Sequence, residues 1–410
     1  MQARPAHVSW IALSLAVLAV GAAADDQPAV QNGPPPVQYN FAPPGARSLA
    51  MGASFIGLAD DATASESNPA GLTILTKPEV SAHFRYSSYD TDAPNTVIQT
   101  GFETFNDKVG SPSFFSLVYP LKGAAVSAYY QRSADFKSHS FFDGVIPGTS
   151  LPNYDQVDTR FKVENIGVSA AFKLGAKASI GGSVRSTRVG IDSIQKTTFP
   201  QDSTGVLFEG FVAPDATKSK VTWNAGVLLT PVSQISIGAV YKKGASYDFS
   251  TDFVIDVTDG VQTVDISRQN QPIPIRIPDV YGGGIALRPT ESFTFLADVV
   301  RVRYSQADPG PGFLNLYQQN GEGGREALAD ATEFHVGGEY TWAGGSDWLF
   351  AVRAGYYSDP DHDGLAALDS KQNHFTAGGG VVVKNRLQVD VAGNFAKNIK
   401  EGLLSFVVRF

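Results

Sequence analysis

The chain has 410 residues, of which 18% are charged, with a formal net charge of -8, 41 glycines, 11% aromatics and no cysteine. Its mildly acidic balance gives no reason to expect a nucleic-acid partner. The missing cysteine excludes disulfide staples, thiolate metal sites, a cysteine nucleophile and a lipidated N-terminal cysteine.

Arg4 and His7 make a short, weakly basic start, and residues 10–24 are nearly all apolar. Ala22 and Ala24 supply the small-x-small cleavage pattern just before Asp25-Asp26. Residues 1–24 are therefore expected to be a signal peptide, the run being short for a membrane-spanning helix. No later apolar run approaches ~18 residues, so no transmembrane helix is expected. Residues 25–45, rich in Pro and Gln, read as an extended leader without a core. Residues 45–77, dominated by small side chains, have room for one or two short helices.

From about residue 78 the pattern has a period of two. Val221, Trp223, Ala225, Val227 and Leu229 alternate with Thr222, Asn224 and Gly226, and the runs 165–174 and 387–395 behave alike. Such alternation marks a half-apolar strand. Three features favour a membrane barrel over a soluble sandwich. The strands are long for globular proteins. Tight turns at 120–123, 231–234, 289–292 and 384–386 alternate with longer polar loops near 90–110, 138–157, 199–217, 254–268, 307–326 and 359–370, as in a barrel with short periplasmic turns. Aromatics gather near strand ends, including Tyr86, Tyr89, Tyr119, Tyr129, Tyr130, Tyr241, Tyr247, Tyr304, Trp342, Trp348, Tyr356 and Tyr357, as two interfacial girdles require. The count is about fourteen strands, centred near 84, 116, 129, 166, 184, 224, 240, 279, 298, 336, 352, 378, 391 and 406. An even count suits a closed antiparallel barrel.

The chain ends with Leu404, Phe406, Val408 and Phe410 on one face. The terminal Phe and this face are similar to the last strand of bacterial outer-membrane proteins, and Phe406, Val408 and Phe410 are read as the signal for the barrel-assembly machinery. The other reading is an ordinary edge strand, but an exposed apolar strand ending a soluble chain invites aggregation.

Residues 45–53, GARSLAMGA, continue through Gly57-Leu58-Ala59-Asp60-Asp61-Ala62 to Asn68-Pro69-Ala70-Gly71-Leu72. This stretch resembles the N-terminal hatch of the FadL family of outer-membrane transporters for hydrophobic compounds. Residues 277–284 with 297–305, and 337–340 with 352–358, also look similar. The resemblance implies an all-β transmembrane barrel of about fourteen antiparallel strands whose lumen is plugged by an N-terminal hatch. It divides the chain into signal peptide (1–24), leader and hatch (25–77) and barrel (78–410). It implies passive uptake of long-chain fatty acids or other hydrophobic small molecules: capture at outer loops, a site in the lumen, and sideways exit into the membrane. No cofactor is implied, and the expected partners are an apolar ligand, outer-membrane lipid and the assembly machinery. A closed barrel can stand alone as a monomer. Residues 47–52 also resemble the PorV-like barrels, which would make the chain a partner in protein secretion.

An apolar solute needs a foothold outside the polar surface layer. Val206, Leu207, Phe208 and Phe211 in one long loop, and Phe313 and Leu314 in another, would supply it or simply pack the loops together. Asn68-Pro69-Ala70-Gly71 is turn chemistry, with Asn to cap, Pro to set φ and Gly to permit positive φ; beside the family pattern it points to gating. Asp60 and Asp61 would pair with a lumen cation or cap a helix. Arg85, Arg132, Arg160, Arg185, Arg188, Arg276, Arg301 and Arg353 are the candidate cations, most of them facing lumen water. No nucleotide loop, zinc spacing or calcium loop is present, and no catalytic constellation is legible around His335. The acidic run 359–364 reads as a solvated loop.

Overall fold

A computed structural model describes residues 41–95, 101–145, 152–199, 207–212, 215–258, 263–265, 268–306, 317–319, 325–327, 330–360 and 371–410. The expected signal peptide and most of the leader lie outside the described residues, as do Val206, Phe313 and Leu314.

Fourteen wall strands run up and down: β1 (Glu79–Asn95), β2 (Gly101–Leu121), β3 (Ala124–Val145), β4 (Pro152–Lys173), β5 (Ala178–Phe199), β6 (Asp215–Val232), β7 (Ile235–Lys242 with Ala245–Thr258), β8 (Arg268–Ile277 with Val280–Leu287), β9 (Phe293–Val302), β10 (Ala331–Ala343), β11 (Trp348–Pro360), β12 (Lys371–Val383), β13 (Leu387–Phe395) and β14 (Ile399–Arg409). Each pairs antiparallel with its neighbours, and β14 returns to β1 from Glu79↔Arg409 to Tyr89↔Ile399, closing the barrel. Pairing of β14 with β1 removes the two free sheet edges, which lipid could not hydrogen-bond. Every centre expected from the alternation falls on its strand, the one at 279 falling in the break of β8.

That break has a local cause. Pro278 has no N–H to donate, and Asp279 turns its carboxylate into the facing break of β7. There it accepts from the Gly244 N–H (2.9 Å), Lys243 Nζ (2.9 Å) and Tyr241 Oη (2.8 Å).

Period two sorts the wall into two faces. Ile166, Val168, Val184, Val221, Trp223, Phe295, Phe334, Val352, Phe375 and Val391 are exposed on the outside. So large an apolar surface suits lipid, not water. Phe406, Val408 and Phe410 belong to this face, while Leu403, Ser405 and Val407 point inward.

Two expectations change. The stretches near 90–110 and 138–157, read as outer loops, are largely strand: β1 runs to Asn95, β2 starts at Gly101, and β3, β4 and β5 are 22 residues each. At about 3.3 Å per residue and ~40° of tilt such strands rise roughly 55 Å, about twice the ~25 Å apolar band. Polar side chains there mark the end of the membrane, not the end of the ladder. β9 (10 residues) and β13 (9 residues) do little more than span. The girdle is also smaller than expected. Tyr119, Trp342 and Trp348 are outward, but Tyr89, Tyr129, Tyr247 and Tyr357 are buried in the lumen, because they occupy inward parity, and Tyr304 is buried from the 3-10 turn Tyr304–Gln306.

Candidate functional site

Residues 41–77 lie inside the barrel and touch its inner face nearly all the way round. Their regular structure is brief: helix α1 (Ala46–Ala50), helix α2 (Ala64–Ser67) and a 3-10 turn (Pro69–Ile74). Irregular backbone at membrane depth is tolerated only when protein groups satisfy it. Wall side chains do so here. Ser405 Oγ accepts from the Ala46 N–H (2.8 Å), and Thr376 Oγ1 accepts from Gly52 N–H (3.0 Å). Asp298 Oδ2 accepts from the N–H groups of Phe55 (2.6 Å) and Ile56 (2.8 Å). Ser236 donates to the Gly57 carbonyl, Ser169 to Ser65, Asn224 to Glu66 and Ser179 to Ala70.

Two ion-pair latches fasten this segment on different strands. Arg47 lies between Asp60 (2.5 Å) and Glu339 of β10, which takes Nη2 at 3.0 Å and Nε at 3.1 Å. Burial alone would lower the affinity of Arg47 for its proton, but the carboxylates of Asp60 and Glu339 reverse this, so its charge is held firmly. Glu339 continues to Arg353 of β11 (2.6 Å), which reaches Asp390 of β13 (2.8 Å). In the second latch Glu66 accepts from Lys242 Nζ of β7 (2.8 and 2.9 Å) and Arg185 Nη1 of β5 (3.2 Å).

The sequence-predicted residues fall into place between these latches. Asp60 pairs with Arg47 of the segment itself rather than with a wall cation. Asp61 mainly caps α2's approach, accepting from the Thr63 N–H and hydroxyl. Asn68 caps the 3-10 turn through Ala70 N–H (3.3 Å) and donates to the carbonyls of Ile56 (2.9 Å) and Val227 of β6 (3.2 Å). Pro69 is the first residue of that turn, where a missing N–H costs nothing. Gly71 does not adopt positive φ, contrary to the turn reading. It is needed because a Cβ there would meet the Ala59 carbonyl oxygen at 2.0 Å. Leu207, Phe208 and Phe211 lie on the short strand Leu207–Val212, which pairs with β5 and β7 beyond the membrane band.

Above the plug the lumen is unusually apolar. Phe136, Phe161, Ile191, Tyr247, Phe249 and Tyr304 pack as one cluster on the inner wall, where barrels are ordinarily polar. A small cavity adjoins the cluster through Phe41, Tyr89, Val109, Ala134 and Tyr304. Its other side is polar. His335, Tyr357 and His374 stack in series, with centroids 5.1 and 4.1 Å apart, beside Arg85 and Glu401. His335 Nδ1 lies 2.9 Å from the Gly52 carbonyl, so this side of the cavity touches the plug directly.

The same cavity meets a break in the wall. The β2–β3 ladder runs only from Phe114↔Gln131 to Leu121↔Ala124. Just beyond it both strands carry an extra residue. Ser113 is extra in β2 against β1, and Ser133 is extra in β3 against β4. A bulge bends its strand and raises its twist, and Pro112 has no N–H to offer a neighbour. The two strands part there, and Val109, Ser111, Ser113, Ser133 and Ala134 line the cavity beside the gap. Higher up Asp107 Oδ2 accepts from the His139 N–H (2.7 Å) and rejoins the edges.

Sequence reasoning missed Arg47, Glu66, Lys242, Asp298 and Glu339. Glu66 carried a signal, being the one charge in the run 62–76. A lone charge among small residues bound for an interior needs a buried partner. The wall partners carried none, since every strand has charges at inward parity.

A family profile described as "Outer membrane protein transport protein (OMPP1/FadL/TodX)" matches residues 45–403. No curated protein matches by sequence. Among solved structures, a FadL homologue from Pseudomonas aeruginosa is similar with a TM-score of 0.65 at 14% identity, covering 92% of this chain and 99% of that one. The toluene transporter TbuX of Ralstonia pickettii gives 0.64 at 16% identity, covering 90% and 99%. The toluene transporter TodX of Pseudomonas putida gives 0.64 at 15% identity, covering 90% and 98%. These likenesses agree with the fourteen-strand closure, and the profile covers the plug and nearly the whole wall: the chain belongs to the OMPP1/FadL/TodX family of transport proteins of the bacterial outer membrane.

Proposed function

We propose that this barrel admits long-chain fatty acids or other hydrophobic small molecules by diffusion, without a cofactor. The observation that carries the reading is the apolar upper lumen, closed below by the N-terminal plug and open sideways between β2 and β3. An apolar ligand leaving water gains about 25 cal/mol per Å² of surface covered, which draws it into the lumen but not onward into periplasmic water. The gap offers lipid instead. Val206, Leu207, Phe208, Phe211, Phe313 and Leu314 are the proposed capture surface outside. The plug, with Asp60, Asp61 and Asn68-Pro69-Ala70-Gly71 in its fastening, is the proposed gate and hatch domain. Phe406, Val408 and Phe410 are proposed to be read by the assembly machinery. A barrel closed by β14 on β1 needs no second copy to complete its sheet, which supports a monomer among outer-membrane lipids. The secretion-partner alternative gains no support from these relatives.

The test is displacement of a fluorescent fatty acid from the detergent-purified barrel, together with uptake by cells carrying the chain with Ser133 deleted. Removing the bulge residue should let β3 rejoin β2. Binding is expected to persist while uptake falls at least about tenfold, a factor worth ~1.4 kcal/mol. Unchanged uptake would rule out the gap as exit, and lack of saturable binding would sink the transport reading.

A further inference from the structure

One patch of the outer wall combines a trough with free charge. Gly182, Val184 and Ser186 follow one another on the outward face of β5. Val184 lies between Val168 of β4 and Trp223 of β6, and Ser186 between Ile166 and Val221. The small side chains of the middle strand leave a shallow apolar trough between larger neighbours. Val221, Ile166 and Val168 are accordingly the most exposed branched side chains among the described residues, at 76%, 66% and 61%. An open apolar trough within the lipid-facing band is a seat for an acyl chain.

The outer end of the trough is cationic. Arg188 is the next outward residue of β5, between Glu164 of β4 and Ser219 of β6. Lys162 lies beside Gly190, one outward step past Glu164. Arg132, Arg160 and Arg188 thus do not face lumen water as expected, because they occupy outward parity. Arg132 is turned to Glu164 (2.8 Å) and Asp135 (3.2 Å), and Arg160 to Asp135 (3.3 Å), so these four charges answer one another. Lys162 and Arg188 close no ion pair with any described residue. The next carboxylate on that face of β5, Asp192, stands beyond Gly190, further from the membrane. Two cations without partners therefore border the lipid, on a chain whose net charge is -8.

We propose that this face of β4–β6 binds a phosphorylated lipid of the outer leaflet. One acyl chain lies in the trough over Gly182 and Ser186, and a phosphate sits between Lys162 and Arg188. The Arg188 guanidinium offers paired donors to the phosphate oxygens, and Lys162 a point charge. Glu164, which would repel a phosphate, already accepts from the Tyr130 hydroxyl (2.7 Å) and from Arg132 Nη2 (2.8 Å), and these donors screen it. The site is outside the barrel, so it stands whichever solute crosses the lumen.

The test uses the full-length barrel in a neutral detergent, with bound lipid counted by native mass spectrometry. The probes are an acylated glucosamine disaccharide carrying two phosphates, the same lipid with both phosphates removed, and inorganic phosphate alone. A basic residue beside an anionic headgroup is worth roughly fivefold in affinity. The double variant Lys162→Gln with Arg188→Gln should therefore bind the phosphorylated lipid at least about tenfold more weakly, and Lys162→Arg should keep it. Both side chains are on the outer surface and unpaired, so assembly should not suffer. Lys371→Gln, on the outward face of β12, should bind as the unaltered chain does. Ser186→Phe fills the trough and should weaken the lipid with both cations in place. Equal binding with and without the phosphates, or a double variant that binds as tightly as the unaltered chain, overturns the proposal. Displacement of the lipid by inorganic phosphate alone overturns it too, since it would show an anion site with no seat for the chain.

Discussion

At Asp298 a single carboxylate oxygen serves two backbone N–H groups of the plug, Phe55 and Ile56, with no helix to share the load. Asp298→Ala leaves both donors buried and unpaired, at about 1–3 kcal/mol each. Hydrogen exchange at residues 54–58 is expected to quicken while the wall strands keep their protection; uniform loosening of plug and wall would contradict this. Gly71 belongs to the same scale. Gly71→Ala sets a methyl against the Ala59 carbonyl, which Cβ would meet at 2.0 Å. Overpacking of this kind costs about 1–3 kcal/mol, and since only the plug bears it, cells should become more permeable to bulky antibiotics without losing the barrel. Asn68 and Gly71 were legible as turn chemistry. The close approach that demands glycine was not, because its partner Ala59 is brought up by the fold.

At the scale of elements, β14 separates stability from recognition. Phe410 is 69% exposed and its side chain faces outward, so Phe410→Ala removes little packing. A fall in the amount of barrel reaching the outer membrane, with unchanged thermal unfolding of the barrel that does assemble, is the expected outcome. An equal loss of thermal stability would mean the residue acts through packing. β2 and β3 teach a different lesson. Their alternation was readable, but the bulges at Ser113 and Ser133 were not, since one extra residue only resets parity and leaves the apolar count unchanged. The stretches near 90–110 and 138–157, outer ends of β1–β4, were misread as loops because polar and turn-forming residues there interrupt the apolar alternation that marks a strand.

For the whole molecule, the two latches and the ring of wall side chains make the plug a separable part. Deleting residues 41–77 is expected to leave a membrane-inserted barrel, because the inter-strand ladder closes without it, and to raise entry of apolar dyes and polar solutes alike. Dye accumulation against the intact chain checks this; a barrel that fails to insert would show the plug to be structural. Strand number, closure and the outward apolar face were determined by the sequence itself, because period-two alternation and turn residues are local and repeat along the chain. Which charges meet was decided only by the tertiary structure. Arg47 with Glu339 is 292 residues apart and Glu66 with Lys242 is 176 apart. Inward parity is shared by many polar side chains, and only the shear of the closed barrel and the path of the plug through it select the pairs. The sideways gap is likewise a property of two strands bending apart together, which neither strand records alone.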